Sequence, residues 1–295
     1  MPKLVVLAPA SLDSDNPPAL EQFQWRFLAD GDSWFTIGTL NLLANSNLLF
    51  ELSLGRSACA VNCGYPGETL RRMVDLVHDP HLEGLLIGAT RRPWDAMLVS
   101  AGGNDLIEAA AVPPSSPAAA DPSRRLLLLP AEWGPESMGA ARYVSDTGWQ
   151  RLADYLRANL DDLIALRDHP RSQSKGVPVF MHTYAVPTPR DAGAGLGHGP
   201  WLWPAMSAYG IPAADMRPVA AELVGRLGRL LLDAAADPAR FPNLHVFDSA
   251  ALVMLDQPAQ GHTGASGDWV NEIHLTRAGY RKLARAWGPV IEGQL

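Results

Sequence analysis

Five short runs of apolar residues, spaced between longer helical patterns, constrain this chain most. They are Arg26 to Ala29, Ala58 to Asn62, Ala96 to Ser100, Val177 to His182 and Leu244 to Phe247. Most are continuously apolar rather than alternating, which is how strands buried on both faces of a parallel sheet read. Between them lie stretches with a helical period. Phe35 to Phe50 has a rough 3.6-residue repeat, and Glu68 to Val77 follows a Pro-Gly turn. Thr147 to Leu166 puts Leu152, Tyr155, Leu156, Leu160, Leu163 and Leu166 on one stripe. Arg217 to Ala235 does the same with Leu223, Leu227, Leu230 and Leu231, and Thr276 to Ile291 closes the chain with Thr276 as N-cap. Strands alternating with helices predict βαβ units with right-handed crossovers. The expected fold is α/β: a three-layer α/β/α sandwich around a five-stranded parallel sheet, of the flavodoxin-like kind.

Two segments interrupt the alternation. Residues 109 to 123 are rich in Ala, Pro and Ser and read as a flexible insertion. Residues 187 to 212 carry Gly193, Gly195, Gly197 and Gly199, then Trp201, Leu202, Trp203 and Pro204. Such a stretch is a lid, a substrate wall or a loop packed on the core. With insertions at 106–146 and 187–212 taken as decoration, residues 1–295 are expected to form one domain.

Composition narrows the function classes. The 295 residues carry 24 Lys and Arg against 31 Asp and Glu, a net charge of -7, and the basic pairs are isolated. A nucleic-acid partner is therefore not expected. The only cysteines are Cys59 and Cys63, which excludes a disulfide scaffold and a four-cysteine zinc site. In a strand they would stand ~13 Å apart, beyond the reach of a disulfide, so both are expected to be free. No apolar run approaches a membrane span. The segment Met1 to Ala10 faintly resembles a signal peptide, but its apolar stretch is short and its basic region is one Lys; a cytoplasmic location is expected.

In an open parallel sheet, ligands bind beyond the carboxyl ends of the strands. After the first run comes Gly31-Asp32-Ser33-Trp34, after the second Cys63-Gly64-Tyr65-Pro66-Gly67-Glu68-Thr69, and after the third Gly102-Gly103-Asn104-Asp105. Asp268-Trp269-Val270-Asn271-Glu272-Ile273-His274 precedes the last helix. These segments supply the parts of an acyl-transfer site. Ser33 is a hydroxyl at a strand-to-helix turn, and His274 is a base near neutral pH. The N–H groups of Ser33 and Gly67 and the Asn104 amide are donors for an oxyanion.

Gly-Asp-Ser at 31–33, Gly67 in Gly-Glu-Thr, Gly-Gly-Asn-Asp at 102–105 and a late His274 resemble the four blocks of the SGNH (GDSL-type) hydrolases. The resemblance spans residues 25 to 290 with the blocks in family order. It implies a serine nucleophile at Ser33, an oxyanion hole of Ser33, Gly67 and Asn104, and His274 as base. It also implies hydrolysis of carboxylic esters or thioesters, a small-molecule ester as partner, and no metal or other cofactor.

Two positions depart from the pattern. Trp34 stands where the motif has Leu. Asn271 stands three residues before His274, where the family has the Asp that orients the base. Either Asp268 folds back to take that role, or Asn271 itself orients His274, or another group such as Glu272 does. A serine esterase is the expected activity. The alternatives are an acyltransferase with the same site and a catalytically decayed module that binds carbohydrate or lipid.

Other motifs point elsewhere. His78 and His81 have a metal-like spacing but a proline between them and no evident carboxylate partner; a surface role is expected. His182 ends the fourth run and faces either the pocket or the core. The glycines at 193–199 do not fit a dinucleotide fingerprint, and there is no Gly-x-Ser-x-Gly elbow.

Overall fold

The computed structural model describes residues 1–36, 46–75, 77–78, 80–195, 198–259 and 261–295. Six parallel strands form one sheet in the order β1-β3-β2-β4-β5-β6. They are β1 Val5–Leu7, β2 Trp25–Gly31, β3 Ala58–Asn62, β4 Ala96–Ser100, β5 Val179–His182 and β6 Leu244–Phe247. Five of these are the five apolar runs. The sixth corrects the expected strand count. β1 is only three residues long, lies at the sheet edge against β3 and is half exposed, so it lacks the burial that made the others legible.

The helices, in chain order, begin with α1 Ser33–Thr36, α2 Leu48–Glu51, α3 Leu70–Met73, α4 Pro80–Leu86 and α5 Gly103–Ala110. They continue with α6 Asp146–Arg167, α7 Leu202–Ala208, α8 Ala213–Ala235, α9 Ser249–Leu252 and α10 Arg277–Glu292. By their contacts they fall into two groups. α1, α2, α9 and α10 pack together, and α3, α4, α5, α7 and α8 pack around α6 and one another. One group on each face gives the three layers. It also explains the strand composition: every residue of β4 is buried, so both faces must be apolar.

The three long helices match their sequence patterns closely. α10 begins where predicted, with the Thr276 hydroxyl accepting from Gly279 N at 3.2 Å. Of Glu68 to Val77, α3 forms over Leu70–Met73, with Thr69 extended as its N-cap, and residue 76 lies outside the described residues. Of the expected helix at Phe35 to Phe50, residues 37–45 lie outside the described residues, and its ends form α1 and α2. The insertion at 109–123 is mostly exposed or half-buried, with Ala110 and Ala119 buried. Two 3₁₀ turns bury Ala119, whose carbonyl accepts from Arg125 Nε at 2.7 Å. Cys59 and Cys63 are buried and not joined in a disulfide. Among the described residues no helix is long and apolar enough to cross a membrane.

Candidate active site

The strand register sets the first two parts of the site side by side. β2 and β4 pair in parallel with Gly31 opposite Ser100. Their continuations, Ser33 at the head of α1 and Asn104 in the first turn of α5, therefore leave the same sheet edge. The backbone must then turn sharply into α5. Gly102 makes that turn at φ +98°, a conformation that strains any residue with a Cβ. Asp105, the residue after Asn104, is buried and accepts from Leu70 N at 3.0 Å, which ties α5 to the start of α3. Burial pushes its carboxyl up to about 6. Asn104 Nδ2 donates to Glu68 O at 2.9 Å. An amide nitrogen carries two hydrogens, so the second remains for a ligand. Gly67, at φ +80°, forms the turn that brings its own block beside Asn104.

Ser33 is nearly buried, and its hydroxyl lies 2.7 Å from His274 Nε2. On the other side of the ring, Nδ1 lies 3.0 Å from Asn271 Oδ1. The side-chain oxygen of Asn271 also accepts from the backbone N–H of Ile273 at 3.1 Å and of His274 at 2.9 Å. Two backbone donors can point only at an acceptor, so chemistry fixes the oxygen end of this amide on the His274 side. An N–H on Nδ1 is then required, and the Nε2 lone pair is left to accept the Ser33 proton. The neutral amide thus selects the tautomer a general base needs.

The loop geometry explains why Asp268 stands apart. Trp269 bridges Leu275, and Thr276 N donates to Asp268 O at 2.7 Å. This pairing closes the loop with Asp268 at its foot and Asn271 near its tip. The Asp268 carboxylate accepts from Lys282 Nζ at 2.6 Å and from Asp256 N at 2.7 Å, which leaves it holding α10 to the loop. Asp268→Asn is expected to keep kcat within about threefold. Ester turnover by the variant checks this; a fall of orders of magnitude would return Asp268 to the site.

Glu272 does not face His274 either. It is fully buried and accepts from the backbone N–H groups of Trp201, Leu202 at 2.9 Å, Trp203 at 2.7 Å and Arg190 at 3.3 Å. Burial raises its carboxyl pKa, and the four backbone donors oppose that rise. Arg190 completes the clamp, donating to Asn271 O at 2.8 Å and to the carbonyls of His262 and Gly264. Part of the 187–212 insertion is thereby fastened to the loop that carries His274. Glu272→Ala would leave buried N–H groups unsatisfied, so it is expected to lower stability by about 3 kcal/mol or more. Thermal unfolding reads this directly, and an unchanged midpoint would contradict the clamp.

The insertion divides its apolar residues between two tasks. Met206 is core, Leu202 lines the pocket beside Ser33, and the Trp201 ring stands edge-on to His274 at 5.3 Å between centroids. Trp34, where the motif has Leu, is buried and donates its indole N–H to Ile273 O at 3.2 Å. It latches the nucleophile turn to the residue next to the base. A buried Trp normally finds such an acceptor, but the sequence does not say which.

Below Ser33 lies a buried polar group. Asp32 accepts from Trp34 N at 2.9 Å, from the Ser100 hydroxyl at 3.0 Å and from the Tyr184 hydroxyl at 2.5 Å. His182 faces this group rather than the open pocket, with Nε2 3.1 Å from the Ser100 hydroxyl and its ring stacked on Trp34. Burial pushes Asp32 up to about 6 and His182 down to about 4. Burial likewise pushes His274 down to about 3, so its ring is neutral over the working range of pH. Far from the site, His78 is exposed and lies 3.2 Å from Asp75, a carboxylate neighbour that the spacing alone had not suggested.

No family model matches the chain, and no curated protein matches it. Among solved structures it is similar to the inhibitor-bound aryl esterase of M. smegmatis, at 16% identity and a TM-score of 0.45 over 92% of this chain and 100% of that one. A candidate SGNH hydrolase from Slackia heliotrinireducens matches at 14% identity and a TM-score of 0.41 over 90% and 98%. An acetylxylan esterase from Geobacillus stearothermophilus matches at 12% identity and 0.39 over 90% and 92%. At these identities and scores the likenesses carry no weight for function, which rests on the site itself.

Proposed function

We propose that this chain is a serine esterase of the SGNH type, a single-domain enzyme that hydrolyses a carboxylic ester through an acyl-enzyme on Ser33. One observation carries the reading: a hydrogen-bonded line from the Ser33 hydroxyl to His274 Nε2 at 2.7 Å and from Nδ1 to Asn271 at 3.0 Å, beside the Asn104 amide. In this reading Ser33 Oγ attacks the ester carbonyl while its proton passes to His274 Nε2. The carbonyl oxygen gains the negative charge and takes hydrogen bonds from Ser33 N–H, Gly67 N–H and the second Asn104 N–H. Collapse breaks the bond to the alkoxy oxygen, and His274 gives that oxygen the proton. Water repeats the sequence on the acyl-enzyme and frees the acid.

Asn271 is the positioning residue for the base. It supplies orientation and tautomer but no charge to stabilise imidazolium. The decayed binding module draws its support from the missing Asp; the three hydrogen bonds that Asn271 Oδ1 accepts, one of them at His274 Nδ1, weigh for the esterase reading. The test is mass spectrometry of protein quenched in acid while it turns over p-nitrophenyl acetate. An acetyl group on Ser33 is expected. Hydrolysis that Ser33→Ala leaves intact, with no acyl group on the protein, would mean that water attacks the ester directly and would overturn the covalent route.

A further inference from the structure

The site opens into a cavity of about 470 Å³, including its mouth, that the chemistry alone does not require. Ser33 and Asn104 lie at its wall together with Leu106 and Ile107 of α5 and Val224 and Leu227 of α8. Its remaining lining includes Leu202, Pro187 and Ala185 from the segment after β5. Apart from Ser33 and Asn104, the polar side chains in the lining are Asp32 and Tyr184, and these bond each other at 2.5 Å. A guest therefore meets carbon on most sides.

The two ends of an ester leave the reacting centre in different directions. The alcohol must depart next to His274 Nε2, which hands it a proton. The acyl chain extends from the carbonyl carbon on the other side. The cavity includes Asn104, α5 and α8 in its lining and does not include His274. It thus lies on the acyl side. Gly102, at φ +98°, makes the turn that brings α5 against α8, with Leu227 Cδ1 3.1 Å from where a Cβ would stand.

Building on the esterase reading, we infer that the cavity between α5 and α8 is the acyl pocket, that the substrate carries a short saturated acyl chain, and that Val224 and Ile107 set its length. Val224 is nearly buried on the inward face of α8, and Ile107 is half-buried on α5. Neither belongs to the catalytic machinery. Each methylene taken from water into such a pocket gives about a fourfold gain, from about 0.8 kcal/mol of transfer free energy.

The experiment measures kcat/KM for p-nitrophenyl acetate, butyrate, hexanoate and decanoate with the wild type, Val224→Phe, Ile107→Ala and Ser33→Ala. The wild type is expected to prefer butyrate over acetate by about tenfold and to reject decanoate. Val224→Phe fills the cavity, so it should cut hexanoate turnover at least tenfold and leave acetate within about twofold. Ile107→Ala should move the optimum to a longer chain. Acetate turnover by each variant shows that it is folded and that its machinery works. A Val224→Phe profile parallel to the wild type would overturn the pocket assignment and leave the esterase reading standing. The assignment would also fall if Val224→Phe instead changed the preference among ethyl, butyl and hexyl acetates, because the cavity would then hold the alcohol. Absence of Ser33-dependent turnover of every ester would overturn the esterase reading, and the pocket with it.

Discussion

Ser33→Ala is expected to lower kcat for an activated ester by about 10⁵-fold or more, and His274→Ala by a similar factor. The two groups act as one unit, since the Ser33 hydroxyl is a weak nucleophile until Nε2, 2.7 Å away, takes its proton. The double variant should therefore be no slower than either single one. That non-additivity separates a nucleophile and its base from two residues that merely line the pocket. A residual rate over water should persist, because the proposed N–H donors of Gly67 and Asn104 survive both substitutions. Circular dichroism of each variant checks that the fold is unchanged. Retention of a tenth of the wild-type rate by either variant would contradict the account.

The second large effect is a gain. Asn271→Asp is expected to raise kcat by about 10–10²-fold. In serine hydrolases with an acidic orienter, replacing it by Asn costs about 10⁴, much of it through the wrong tautomer. Here the tautomer is already correct, because Ile273 N and His274 N fix the oxygen of Asn271 against Nδ1. Only the electrostatic share remains to be gained. The new carboxylate has the same shape and meets three N–H donors already in place.

The pH profile gives the sign. His274 acts as a base only when neutral, and burial has pushed it down to about 3. In the wild type, kcat/KM should therefore not fall as pH drops through 6.5, the ordinary value for histidine. A charged neighbour favours the imidazolium and raises the pKa by about 1–3 units. In Asn271→Asp the acid limb should move upward by that amount. Asn271→Ala, which removes orientation and strands two backbone donors, should lose about 10²-fold or more. A slower Asn271→Asp with an intact fold would show that the amide is needed in itself.

The sequence made some of these features readable and hid others, for physical reasons. The four inner strands β3, β2, β4 and β5 are mostly buried on both faces, so their composition is forced and they stand out as apolar runs; β6, at the far edge, is half-buried at His245 and Val246 and shows through Leu244 and Phe247. β1 is short, half exposed and at the edge, so nothing in Val5-Val6-Leu7 had to announce it. The places of Ser33, Asn104 and His274 were legible because each lies at the junction of a strand or loop with a helix, where local turns set their directions. The partner of His274 was not legible in that way. Asp268 and Asn271 are both near in sequence, and the choice depends on how the loop closes. The bridge of Trp269 to Leu275 puts Asp268 at the foot of the loop, where Lys282 waits. Likewise no spacing rule predicts that Trp34 reaches Ile273 O, or that Glu272 receives the amides of residues 201–203 from a distant segment. The Gly-rich stretch hid α7 because its helical part is only seven residues long and starts beside Pro204.

The central claim is that His274 activates Ser33. A fluorophosphonate probe tests it most directly, since only an activated serine displaces fluoride from phosphorus and keeps the phosphonyl group. Mass spectrometry of the labelled, folded protein should find one adduct, on Ser33, absent from Ser33→Ala and strongly reduced in His274→Ala. A folded protein that takes no label, or takes it equally well without His274, would contradict the account.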